Sequence, residues 1–97
     1  MSGYAMVAVW KMDPAMAEAQ EAGLRERIIP LASSQPGFVQ GRWTRAADGV
    51  RHVAYLEFDS EANAQKCADF VAQPDERRAE AGVANESIEV LEVIGSA

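Results

Sequence analysis

The sequence predicts an α+β protein: one four-stranded antiparallel sheet with its helices on a single face. Three observations carry this. The patterns run strand, helix, strand, strand, helix, strand, as two strand-helix-strand halves. The halves meet at Ala46-Ala47-Asp48-Gly49, a hairpin connection in which Gly49 can take positive φ. The segment at 4–11 is apolar on both faces, as suits a strand covered on both sides.

Each element has its own local reason. Residues 4–11 alternate Val7 and Val9 against Tyr4, Met6, Ala8 and Trp10. Asp13-Pro14 starts a helix over 14–33, Asp as cap and Pro at the first helical position. Its apolar stripe is Ala17, Leu24, Ile28 and Leu31, with Glu18, Glu21, Arg25 and Glu26 off it. Pro30 falls inside this pattern and should bend the helix, with no hydrogen bond back to residue 26. Gln35-Pro36-Gly37 stops it. Residues 38–45 form a strand with a half-polar face, suited to a sheet edge. Residues 51–58 set His52, Ala54, Leu56 and Phe58 against Val53, Tyr55 and Glu57. Asp59-Ser60 caps a helix over 60–72 with Ala64, Cys67, Ala68 and Val71 on its stripe. Pro74 and Gly82 bracket a short helix at 74–81, and residues 87–94 alternate as the last strand.

The 97 residues make one domain, residues 1–97, with modest burial, so association helps stability. The net charge of −6 and the scattered basic residues argue against nucleic acid. No apolar run approaches the length of about 20 residues of a membrane span. The N-terminus lacks the basic start of a signal peptide. The single cysteine, Cys67, allows no internal disulfide and fits a cytoplasmic setting.

Residues RIIPLASSQPGFVQGRWTR, followed by a strand running into FDSEANAQ, together with the element order, resemble the antibiotic-biosynthesis monooxygenase (ABM) superfamily. The resemblance covers roughly residues 4–94. It implies a ferredoxin-like β-α-β-β-α-β fold, dimerisation through the sheets into a dimeric α+β barrel, and a cavity between sheet and helices. It also implies functions from cofactor-independent oxidation of aromatic polyketides to haem degradation and small-molecule signalling. The haem-degrading branch uses an Asn on the first strand and a helical His, and this sequence has neither. The polyketide-oxidising branch relies on an Asn and a Trp. Trp43 is the candidate for the Trp. Neither Asn63, near the start of the second helix, nor Asn85, in a loop, maps onto the Asn.

His52 is the only histidine. It suits a general base; a partly exposed histidine after a turn is the plainer reading. Trp10, Trp43 and Tyr55 can form an aromatic wall for a flat ligand, the Tyr hydroxyl orienting it, or can simply pack the core and a dimer interface. Arg42 and Arg45 can pair with an anionic group but more often are solvated edge charges. Cys67 reads as a buried small hydrophobe. Glu57, Glu89 and Glu92 read as solvent-facing strand residues. One His and one Cys cannot build a soft-ligand metal site, and no glycine-rich phosphate loop is present, so no cofactor is expected. The sequence thus predicts a cytoplasmic homodimer with a small-molecule ligand and neither nucleic-acid nor membrane partners. It would be a cofactor-free monooxygenase acting on a small aromatic or lipophilic molecule, with His52, Trp43 and Tyr55 as catalytic candidates. The alternative is a non-catalytic ligand-binding or stress-associated dimer whose cavity is packed.

Overall fold

The computed structural model describes residues 3–97. Strand β1 is Tyr4–Met12, and a 3-10 turn at Pro14–Met16 leads into helix α1. Helix α1 has three consecutive parts: Ala17–Gly23, a π-helical turn at Leu24–Ile28, and Ile29–Ser33. Then follow β2 (Phe38–Arg45), β3 (Arg51–Phe58), α2 (Glu61–Val71), α3 (Glu76–Glu80) and β4 (Val83–Glu92). The sheet order is β2-β3-β1-β4, with every neighbouring pair antiparallel. This is the ferredoxin-like arrangement. It places β1 at the centre, which accounts for its two apolar faces, and leaves β2 and β4 as edges.

The register decides which side chains share a face. Met6 of β1 sits opposite Leu56 of β3 and Val90 of β4, while Val7 sits opposite Tyr55 and Glu89. Met6, Ala8, Ala54, Leu56 and Phe58 therefore form one layer, which packs under Ala32 of α1 and Ala64, Cys67 and Ala68 of α2. Phe58 and Met6 are the largest fully buried side chains. Phe58 meets Phe38 edge-on, with ring centroids 6.0 Å apart and planes at 80°.

The helix starts follow the sequence. Asp13 Oδ1 accepts from the Ala15 amide at 2.9 Å, Ser60 Oγ from Asn63 at 3.2 Å, and Asp75 Oδ1 from Arg77 at 2.9 Å. Pro30 lies inside α1, as its apolar stripe predicts, and the helix continues beyond it to Ser33. The hydrogen bond that proline cannot make is absorbed by a wider turn: the Ile29 amide reaches back five residues to Leu24 O.

Strand β4 departs from expectation. It starts at Val83 and ends at Glu92, not at 87 and 94. Its register against β1 shifts between Val9 and Trp10. There the Asn85 amide donates to Val9 O at 3.1 Å and to Ser87 O at 3.2 Å, bridging the irregularity. The polar stretch Ala84-Asn85-Glu86 carries no alternation, so this half of the strand is held by backbone pairing and not by burial.

Gly37 ends the α1–β2 connection with φ of 75°. A side chain there would run into Asp59 Oδ1 and Asn63 Nδ2, which are hydrogen-bonded to each other at 2.8 Å. Gly37→Ala therefore meets both a left-handed backbone and an occupied space. Urea denaturation should show a loss of about 1–3 kcal/mol; an unchanged midpoint would mean that the turn is not constrained as described.

Candidate ligand cavity between sheet and helices

Helix α2 lies across β1, β3 and β4, whereas α1 packs on the sheet through its last part, Ile29–Ser33, against β2. Under the earlier part of α1 a cavity of about 430 Å³ remains. That volume is in the range of small-molecule sites. The floor is Ala8, Trp10, Trp43, His52 and Ala54, from three strands. Leu24 and Ile28 of the π-turn line it from above, and Arg77 and Arg78 of α3 from the side.

The register sets the order of the floor. Arg45, His52 and Trp10 form one cross-strand row, and Trp43, Ala54, Ala8 and Ile88 the next. The small residues in the second row leave space between the two tryptophans. Gly41 matters to Trp43: a Cβ there would lie 2.9 Å from Trp43 Cη2, so the indole rests against a position where any other residue would push it away.

Polar groups reach the cavity from three directions. His52 Nε2 is buried and has no hydrogen-bond partner among the described residues. A buried ring nitrogen left unpaired costs about 1–3 kcal/mol, so it is a strong site for a ligand group or water to satisfy. The Arg78 guanidinium sits over the Trp10 ring, 4.9 Å from its centroid. Gln20 Nε2 donates to Asp13 O at 2.9 Å and to Ala81 O at 2.8 Å, fastening α1 to the segment between α3 and β4. Two half-exposed ion pairs lie at the rim, Arg45–Glu21 at 3.1 Å and Arg27–Asp75 at 3.9 Å. At that exposure each contributes little to stability.

Of the three catalytic candidates read from the sequence, the structure brings Trp43 and His52 together in the cavity and leaves Tyr55 out. Tyr55 belongs to the opposite sheet face, where its hydroxyl donates to Glu57 Oε1 at 3.2 Å. Burial, then the Glu57 carboxylate, raises its pKa and keeps the phenol neutral. The aromatic wall expected from Trp10, Trp43 and Tyr55 is thus a pair of tryptophans. Strand alternation is the reason, since residues 52 and 55 must point to opposite sides.

The remaining candidates are dispersed. Arg45 reaches the rim, while Arg42 is exposed and donates to Gly41 O at 2.9 Å. Glu57 accepts from Tyr55 and Gln40 on the open face. Asn63 is held by Asp59, and Asn85 lies within β4. Glu89 and Glu92 lie on the β4 edge, outside the cavity lining. Gln20, Arg27, Arg77 and Arg78 were not singled out from the sequence. Only the folding of α3 back beside Trp10 brings them to one place; the Pro74 and Gly82 bracket located that helix but not its neighbour. Among the described residues, no group of three or more His, Cys, Asp or Glu side chains could hold a metal ion, and no helix is long and apolar enough to cross a membrane.

A ferredoxin-like domain with a tryptophan-walled cavity between sheet and helices is the class this geometry defines. No protein-family model matches the chain, and no curated protein matches it in sequence. Solved structures do match in fold. The cofactor-independent oxygenase SnoaB from Streptomyces nogalater is 19% identical over 99% of this chain and 97% of its own, with a TM-score of 0.66. The monooxygenase ActVA-Orf6 from Streptomyces coelicolor, solved with the ligand Nanaomycin D, is 20% identical over 98% of this chain and 88% of its own, with a TM-score of 0.60. A dimeric ferredoxin-like protein from an uncultured marine organism is 13% identical over 100% of this chain and 92% of its own, with a TM-score of 0.66. These likenesses are of fold: the ferredoxin-like arrangement expected from the sequence is shared with all three.

Cys67 lies 3% exposed in the core, and burial pushes its thiol above the ordinary value of 9.0. The native thiol should resist Ellman's reagent at mildly alkaline pH and react fully once unfolded. Because the folded value is the higher one, the associated stability is present below 9.0 and is lost as pH rises through the folded pKa. Alkaline denaturation should therefore be shallower in Cys67→Ala; fast native labelling would contradict the buried placement.

Proposed function

We propose that this chain is a homodimeric, cofactor-independent monooxygenase acting on a flat, electron-rich aromatic molecule. The observation that carries the reading is the unpaired His52 Nε2 in a cavity walled by Trp10 and Trp43. The two indoles hold a planar ring. His52, in the tautomer protonated on Nδ1, takes the substrate's phenolic proton at Nε2. The resulting anion passes an electron to dioxygen, a carbon–oxygen bond forms, and the peroxide takes the proton back from His52 to become a hydroperoxide. Loss of water then leaves a quinone. Dioxygen is the oxidant; one of its oxygen atoms stays in the product and the other departs as water. The fold shared with oxygenases supports this reading.

A second reading, a ligand-binding module without turnover, is favoured by the position of Tyr55, which leaves His52 as the one acid–base group at the cavity floor. Oxygen uptake with anthrones separates the two. Turnover should resist a chelator and require no added flavin, haem or nicotinamide. His52→Ala should lower kcat by about 10²-fold or more, the usual contribution of a general base, and Tyr55→Phe should change it less than twofold. Saturable binding without oxygen uptake would replace the enzyme by the module.

The dimer rests on the other face of the sheet. Val7, Val9, Val53 and Tyr55 lie there under no helix, and Leu91 is 45% exposed. Soluble chains seldom leave so continuous an apolar surface open. Two copies related by a two-fold axis would cover it. Light scattering at micromolar concentration should give twice the chain mass of 10.5 kDa; a stable species at the single-chain mass would refute the pairing.

A further inference from the structure

We propose that the cavity selects anionic aromatic ligands, with a carboxylate bound by Arg27, Arg77 and Arg78 while the ring lies against the tryptophans. This rests on the small-molecule reading above and adds the charge of the ligand. The chain carries a net charge of −6, so its overall field repels anions. Yet four of its seven arginines, Arg27, Arg45, Arg77 and Arg78, line this one cavity, where, among the described residues, Glu21 is the only carboxylate in the lining. Glu21 is taken by Arg45, at 3.1 Å.

The other three arginines have donors to spare. Arg77 and Arg78 pair with no carboxylate among the described residues, and Arg27 has only the long 3.9 Å contact to Asp75. Arg78 is fixed twice, by donating from Nη1 to Gln73 O at 3.2 Å and by resting on Trp10. Those contacts orient a planar fork that keeps further N–H groups free. Such a fork matches a carboxylate bidentately, where an ammonium would not. Its seat on Trp10 also places that guanidinium beside the aromatic wall, so a ring sharing the wall would present a carboxylate to it. The π-turn that accommodates Pro30 contributes as well, since it brings Leu24, Arg27 and Ile28 all into the lining.

Both tryptophans of the chain line this cavity, so intrinsic fluorescence reports on it directly. The test is a titration with 2-naphthoate and with 2-naphthol, which is neutral at neutral pH and presents the same ring system. Naphthoate should quench with an affinity at least about tenfold tighter, equivalent to about 1.4 kcal/mol. Its affinity should fall as salt rises, while that of naphthol should not. The double variant Arg77→Gln with Arg78→Gln, and separately Arg27→Gln, should bring naphthoate down to the level of naphthol. Arg25→Gln, exposed and outside the lining, should leave both unchanged. Equal, salt-independent affinity for the two probes would overturn the anion selectivity and leave the aromatic cavity standing. Failure of both to quench would overturn the cavity reading and the selectivity together.

Discussion

The structure depends on the pairing of β1 with β3 in a register that sets Met6 against Leu56, Ala8 against Ala54 and Trp10 against His52. Because side chains alternate, this one register decides the contents of both faces. Were β3 shifted by one residue, Val53 and Tyr55 would face the helices, and Phe58 would be driven out of its fully buried place. The even-numbered layer is graded along the strands. It runs from the large Phe58 and Met6 at one end, through Ala8 and Ala54, to Trp10 and His52 at the other. The packed core and the cavity are two ends of one layer, and the small residues between them mark the transition.

That gradient explains why the two long helices behave differently. Helix α2 meets the sheet through Ala64, Cys67 and Ala68, all small and buried, so it can approach closely. Helix α1 has only Ala32 as a buried contact, near its end. Its middle is held over the tryptophans, where the π-turn widens the backbone and Leu24, Arg27 and Ile28 line the space below. Pro30 forces a backbone adjustment, and the adjustment falls where the cavity is. π-turns recur at functional sites for the same reason: they change which side chains face inward without ending the helix.

Much of this fold was legible from the chain. The alternation of 51–58, the caps Asp13 and Ser60, and the Pro74 and Gly82 bracket are local signals, and each element they announced is present. The early half of β4 was not legible because Ala84, Asn85 and Glu86 are solvent-facing, and a side-chain amide bridges its shifted register. The lining of the candidate cavity was half legible. His52 and Trp43 could be picked by residue type, and alternation alone separates Tyr55 from them. The arginines could not be grouped, because Arg27 and Arg78 are brought together by the return of the chain after α2, which no period in the sequence encodes.

The short helix α3 connects these observations. With five residues it cannot be stable on its own. What holds it is tertiary: Asp75 caps its start, Gln20 binds Ala81 O beyond its end, and Arg78 rests on Trp10. Two of those three fastenings come from residues that also line the cavity, and Trp10 itself is part of the floor. A ligand that competes for the face of Trp10 must therefore either share it with Arg78 or displace that contact. An anionic ligand can share, since the guanidinium that covers the indole also neutralises the incoming charge. A cationic one would meet the same arginine as a repulsive neighbour. Sign of charge at the rim and order in α3 are thus coupled through a single side chain, whose placement makes the helix part of the cavity wall.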